Sequence, residues 1–221
     1  MTRGRFITLE GGEGVGKSTH ALRLTESLRL AGCDVVATRE PGGAPGAEEI
    51  RTLLVTGATD RWDPMTEALL HFAARREHIR RTIEPALAAG RWVVCDRFAD
   101  STVAYQGYGH GLDRDRIGAL CRLVVGDLVP DLTIVLEVSL VTALDRTIGR
   151  DGRAGQSAAA GRPEDRYERM GAEFHQRVRE GFREIARREP ERCVLIDASG
   201  DVATVAAAVR AAVSGRLGIV L

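Results

Sequence analysis

The 221 residues suffice for one sizeable α/β domain, with 44% hydrophobic residues to build its core. Basic and acidic residues balance at 31 each, which argues against a general polyanion binder, because non-specific nucleic-acid affinity comes mainly from excess positive charge. No apolar run approaches the roughly 20 residues that span a bilayer, and Met1 to Phe6 leads into no signal-peptide core, so the chain reads as soluble, unprocessed and cytoplasmic, with neither nucleic acid nor membrane as a partner.

In chain order, the first apolar run is Phe6 to Glu10, followed by a glycine-rich turn and a helical pattern from Lys17 to Ala31 that stops at Gly32. A second run, Asp34 to Thr38, precedes a long helix signal from Met65 to Ala89, in which Pro85 predicts a kink or a restart. Trp92 to Asp96 and Leu132 to Val138 are the third and fourth runs. Gly149 to Gly161 lacks large apolar side chains and reads as a mobile loop, flanked and dotted by Arg146, Arg150, Arg153, Arg162 and Arg166. The fifth run, Cys193 to Asp197, leads to an Ala/Val-rich helix from Val202 to Val213.

Nearly continuous apolar strands alternating with helices predict a five-stranded parallel sheet with helices on both faces, in a single domain spanning residues 1–221. Ligands in such folds sit beyond the carboxyl ends of the strands. Cys33, Cys95, Cys121 and Cys193 are scattered, with no C-x-x-C pair, and read as free thiols.

Gly11-Gly12-Glu13-Gly14-Val15-Gly16-Lys17-Ser18 fits G-x-x-x-x-G-K-[ST] between a predicted strand and a predicted helix, the context that a P-loop requires. The glycines let backbone N–H groups turn onto a phosphate, the helix N-terminus adds positive potential, and Lys17 reaches the β and γ oxygens of ATP. Lys17 is the one lysine of the chain. Ser18 would hold Mg2+, and Thr19 either touches the α-phosphate or caps the helix.

A P-loop alone names a nucleotide and no reaction. Asp96 and Arg97 end the third strand, where the carboxylate can serve Mg2+ or an acceptor oxygen and the guanidinium can grip a second phosphate; an ordinary ion pair is the alternative. In the long helix Leu69, Phe72, Arg76, Ile79 and Ile83 recur at spacings of three and four, so Phe72 stacking on a flat base and Arg76 bonding its carbonyl is one reading; an arginine snorkelling from a packed helix is the other. The arginine-rich loop suits a lid that neutralises a γ-phosphate, or it is solvated surface charge. Two phosphate sites facing each other favour a nucleotide kinase over a hydrolase.

The segments GGEGVGKS, TREPGG (Thr38 to Gly43), LLHFAARREH and DRFADSTVAYQG (Asp96 to Gly107) closely resemble those of the bacterial thymidylate kinases, and the resemblance covers nearly the whole chain. It implies a P-loop NTPase fold with a mobile lid at about 146–166, a homodimer, and ATP-dependent phosphorylation of dTMP to dTDP with Mg2+ on the way to dTTP. It further implies that Arg97 binds the dTMP phosphate, that Ser101 and Gln106 contact the nucleotide, that Tyr105 lies against the deoxyribose, and that Asp96 organises Mg2+ and the acceptor phosphate. Phe72 and Arg76 correspond to the base-stacking aromatic and the base-carbonyl arginine. Arg51 corresponds to a further phosphate arginine, Glu40 to an acid near metal and sugar, and Glu13 to a carboxylate receiving the 3′-hydroxyl. With no arginine in the P-loop, the catalytic arginine is expected in the lid at Arg150 or Arg153, and Asp165-Arg166-Tyr167-Glu168 resembles the stretch that anchors the lid. The rivals are a kinase for another nucleotide or deoxynucleoside and a P-loop switch protein; the latter lacks an N-K-x-D motif.

Overall fold

All five apolar runs form strands of one parallel sheet. The computed structural model describes residues 3–139, 142 and 165–221. Strands β1 (Phe6–Glu10), β2 (Val35–Arg39), β3 (Trp92–Asp96), β4 (Leu132–Glu137) and β5 (Cys193–Asp197) lie in the order β2-β3-β1-β4-β5. The central strand β1 is buried along its length, since it has a strand on either side and packing on both faces. Register places Arg39 level with Asp96, and Asp96 level with Leu9, so the carboxyl ends stand in one row.

Successive side chains of a strand point to opposite faces. Ile7 and Leu9 therefore join Leu24 and Leu28 of α1 (Lys17–Leu30) and Val205, Val209 and Val213 of α8 (Val202–Leu217). On the other face Phe6, Val93 and Cys95 pack with Phe72 of α3 (Pro64–His78), with Ile79 and Ile83 just beyond it, and with Ile117 and Val125 of α6 (Arg114–Val125). Tyr105, Phe174, Val178 and Phe182 form a third cluster with Val135; three of them sit on or beside α7 (Ala172–Arg188). The helices not anticipated from sequence are α2 (Pro45–Val55), α5 (Ala99–Thr102), α6 and α7.

The predicted Met65 to Ala89 helix is interrupted. Asp63 caps α3 by accepting from the Met65 and Thr66 amides at 3.0 and 3.2 Å, with Pro64 in the first turn. A π turn at Ile79–Ile83 then joins it to α4 (Glu84–Ala88). Pro85 has no N–H to give to the preceding turn and its ring crowds the carbonyl there, so the ladder widens before helix resumes. The four cysteines are free thiols.

Candidate active site

At the end of β1 the chain turns at Gly11, with φ 134, where a Cβ would stand 2.3 Å from the Leu136 carbonyl oxygen of β4. Only glycine lets the turn leave the sheet so closely. Gly16, at φ 93, supplies the left-handed step into α1. The first amides of α1 and the positive end of its dipole thus face the space beyond the sheet.

Lys17 is buried and its Nζ donates to the Gly12 carbonyl at 2.5 Å. Burial, helped by the charge of Arg97, brings its pKa down to about 8, so it remains largely cationic at neutral pH. Ser18 Oγ donates to Asp96 Oδ2 at 2.5 Å, bringing together the two predicted metal ligands from α1 and β3. The other carboxylate oxygen, Asp96 Oδ1, is buried with no hydrogen-bond partner. A hydroxyl beside a carboxylate with an unused oxygen suits Mg2+, which takes one or two protein ligands and completes its shell with phosphate and water. Among the described residues no cluster of three His, Cys, Asp or Glu offers an all-protein metal site.

Arg97 follows Asp96 with φ 70, a conformation that a non-glycine side chain rarely adopts and that turns it back over the P-loop. Its NH2 donates to Glu13 at 2.6 Å and to the Tyr105 hydroxyl at 3.0 Å, and its NH1 to the Gly11 carbonyl at 3.1 Å and Ser101 at 3.2 Å. The guanidinium lies 4.9 Å from the Tyr105 ring centroid. Burial works against a charged Glu13, yet Arg97 and then Lys17 hold its carboxyl at about 2. Burial also lifts the Tyr105 phenol well above its usual range, so it stays a donor, giving its proton to Glu13 at 2.8 Å. Ser101 Oγ donates to Glu10 at 2.6 Å, and the fully buried Glu10 carboxyl is pushed upward by burial and then by Asp100.

Two cavities meet here. One is walled by Gly14, Gly16, Lys17, Ser18, Thr19 and Asp96, the other by Ser101, Tyr105, Gln106, His71 and Tyr167. Glu13, Glu40, Arg51, Arg97 and Glu168 line both. Arg51, unremarkable by spacing, arrives because α2 runs beside the β2 end, and its NH1 donates to the Pro41 carbonyl at 2.8 Å. Glu40 accepts from Arg75 at 2.7 Å and faces His78 Nδ1 at 2.9 Å; burial opposes its charge, but Arg75 and His78 hold it low.

Phe72 and Arg76 are not brought to either cavity, which corrects the base-binding pair read from helical spacing. Phe72 is 2% exposed and lies in the core, while Arg76 is exposed and donates to the Val124 carbonyl of α6 at 3.3 Å. The apolar face of α3 looks at the sheet, and the cleft is met about one residue earlier on the helix. There Glu67, His71, Arg75 and His78 recur at spacings of four and three, a polar stripe that was the available signal. His71 lines the second cavity and shares a hydrogen bond of 2.8 Å with the Tyr167 hydroxyl; burial pushes its pKa down to about 4 and leaves the imidazole neutral. Tyr105 and Tyr167 meet edge to face at 5.5 Å. Arg75 is buried and donates to Glu40, to Thr102 at 3.0 Å and to the Phe98 carbonyl at 2.9 Å.

Gln106 donates through Nε2 to Glu67 at 2.7 Å. Arg166 is fully buried and ties the Leu54, Ala58 and Thr59 carbonyls at 3.3, 2.9 and 2.9 Å, so it fastens the Asp165-Arg166-Tyr167-Glu168 stretch to the end of α2. Arg146, Arg150, Arg153 and Arg162 lie outside the described residues.

A family model described as thymidylate kinase matches residues 9–209. The thymidylate kinase of Caulobacter vibrioides is 52% identical over 219 residues, covering 99% of this chain and 100% of that protein. That of Magnetococcus marinus is 49% identical over 214 residues, 97% of each chain. The crystal structure of thymidylate kinase from Ehrlichia chaffeensis superposes with a TM-score of 0.73 at 35% identity, covering 96% of this chain and 99% of that one.

Proposed function

The chain belongs to the thymidylate kinase family and phosphorylates dTMP to dTDP with ATP as donor, and from that premise we propose how its residues divide the work. The observation that carries the division is the shared wall: Glu13, Glu40, Arg51 and Arg97 line both cavities, so phosphates entering from the two sides meet beside the same guanidinium groups.

MgATP takes the P-loop side. Gly11, Gly12, Glu13, Gly14, Val15 and Gly16 form the cradle, Lys17 reaches the terminal phosphates, and Thr19 lies at the α-phosphate end. Ser18 and Asp96 would hold Mg2+, a role supported by their contact and by the unpaired Asp96 Oδ1; the ion would supply positive charge to the donor phosphates. The second cavity takes dTMP: Arg97 and Arg51 bind its phosphate, Tyr105 and Glu13 the sugar, Ser101 and Gln106 orient the nucleotide, and Glu40 holds Arg75 and His78 in place. His71 replaces Phe72 as the flat face against the base, supported by its place in the cavity wall and its neutral ring. An oxygen of the dTMP phosphate attacks the γ-phosphorus in line, a new P–O bond forms as the bond to the β-bridging oxygen breaks, and ADP leaves. A phosphate monoester is already ionised at neutral pH, so positioning and charge neutralisation carry the reaction and no strong base is required. Arg150 or Arg153 supplies further positive charge at the γ-phosphate.

The protein acts in the cytoplasm, as one domain and as a homodimer; the dimer rests on family resemblance and on exposed leucines, Leu69 and Leu123, of the neighbouring helices α3 and α6. Among the described residues no helix is long and apolar enough to cross a membrane. ADP release from MgATP with dTMP, dUMP, dCMP, AMP, GMP or thymidine as acceptor tests the assignment. Selective turnover with dTMP is expected; ADP formation independent of acceptor would replace the kinase with a hydrolase or switch.

A further inference from the structure

Glu10 closes β1, is fully buried, and has no part in the division of work above. Among the described residues, the donors to its carboxyl all come from the segment that follows β3: the Phe98 and Ser101 amides reach Oε1 at 2.7 and 3.3 Å, and Ser101 Oγ reaches Oε2 at 2.6 Å. Ser101 Oγ in turn accepts from Arg97 NH1 at 3.2 Å. The neighbours of Glu10 grip the same arginine, since its backbone amide donates to the Leu9 carbonyl at 2.9 Å and its NH1 to the Gly11 carbonyl at 3.1 Å. Arg97 needs such fixing, because a non-glycine backbone at φ 70 is strained and persists only where its surroundings hold it. The far side of the segment is fastened as well: Asp100 takes a bidentate pair from Arg192, just ahead of β5, at 2.7 and 2.8 Å.

We infer that Glu10 is a positioning residue for the acceptor phosphate: without touching the nucleotide, its two carboxyl oxygens hold Arg97 by the backbone, through the Phe98 amide, and by the guanidinium, through the Ser101 hydroxyl. This deepens the dTMP reading and rests on it. Glu10 is the last residue before the P-loop, so one side chain sets the acceptor arginine against the same strand end that carries the donor cradle. The two phosphates are thereby registered to a common support. Burial, and then the Asp100 charge, push the carboxyl up to about 8. A proton there keeps the arrangement, because Oε1 still accepts both amides and a protonated Oε2 donates to Ser101 Oγ, whose second lone pair remains for Arg97. A glutamine does the same through its NH2 group, whereas a leucine fills the space and leaves the buried Phe98 amide without an acceptor.

The test is kcat and KM for dTMP and for MgATP with the full chain and with Glu10→Leu and Glu10→Gln, alongside Arg97→Ala. In Glu10→Leu, kcat/KM for dTMP is expected to fall about ten- to a hundredfold, the scale of a buried donor left unpaired, while KM for MgATP changes by less than about threefold. Glu10→Gln is expected to recover most of the dTMP affinity. A folded Glu10→Leu protein that loses both substrates by the same factor overturns the inference, and so does a Glu10→Gln protein as impaired as Glu10→Leu. If Glu10→Leu does not fold, hydrogen exchange at the Phe98 amide of the unmodified, ligand-free protein decides the matter. Protection equal to that of the β1 amides supports a held turn, and exchange at the rate of an exposed loop overturns it. An Arg97→Ala protein that keeps its KM for dTMP would fail earlier, at the acceptor assignment.

Discussion

One helical step, about 100° around the axis, separates His71 from Phe72 and divides the nucleotide wall from the core. Cutting Phe72 to alanine is expected to cost about 3–5 kcal/mol of stability, as for other buried aromatic rings. The molecules that stay folded should keep their KM for dTMP. His71→Ala should do the reverse, raising KM for dTMP about tenfold through the lost stacking face, a loss of the order of 1–1.5 kcal/mol, while unfolding moves little. Denaturant unfolding and steady-state kinetics on both variants check this, and a dTMP defect confined to Phe72→Ala would restore the pairing read from spacing. The contrast also shows what was legible at this scale. The P-loop is a backbone device whose glycines write its turns into the sequence, and Lys17 and Ser18 follow at fixed offsets. Arg97 stands out because it closes a strand at the ligand edge. Helical spacing groups residues into faces but leaves open which face meets ligand and which meets sheet, and His71, Arg75 and Glu67 were lost to that ambiguity.

At the scale of elements, strands were the easy part, because a β-strand covered on both faces is apolar throughout and ends where it meets solvent. Helices that only cover the sheet carry weaker signals, and α2 and α6 went unseen. The contact between α7 and the π turn at Val103–Gly109 could not be foreseen either, since it depends on two absent side chains. A Cβ on Gly181 would lie 2.8 Å from the Tyr108 ring, and one on Gly109 would lie 2.5 Å from Phe174. Glycine here admits a neighbouring ring, so Gly181→Ala is expected to destabilise by about 1–3 kcal/mol through overpacking, despite the better helix propensity of alanine. Gly215 in α8 has nothing within 4 Å of such a carbon. Gly215→Ala should therefore stabilise by about 0.5–1 kcal/mol. Thermal denaturation of the pair reads opposite signs from the same chemical change, and equal signs would show that α7 and the π turn do not pack this closely.

Across the whole molecule, the same charges that make the site also join its parts: Glu13 from the P-loop, Arg97 from the end of β3 and Tyr105 from the π turn meet within hydrogen-bond distance. Folding therefore responds to pH through the active site. The Glu13 carboxyl, ordinarily near 4.5, sits at about 2 in the folded protein. The unfolded chain binds that proton more readily, so the contribution of Glu13 is present in full above about 4.5 and is lost as pH falls through about 2. Its size is roughly 2–3 kcal/mol, allowing for the part of the side chain that water reaches. Glu13→Gln removes the titration and leaves Arg97 without its carboxylate. At neutral pH this variant should unfold more easily than the unmodified chain by about that amount, and the gap should close as the solution is acidified, because the unmodified protein then loses the same ion pair. Glu67 titrates in the same range and shapes the acid limb of both proteins, so the difference between them isolates Glu13. Denaturant unfolding at stepped pH measures it. A gap that stays constant down the acid limb would mean that Arg97 does not hold Glu13 charged, and the shared wall between the two phosphate cavities would then lose the charge balance that keeps its guanidinium pointed between them.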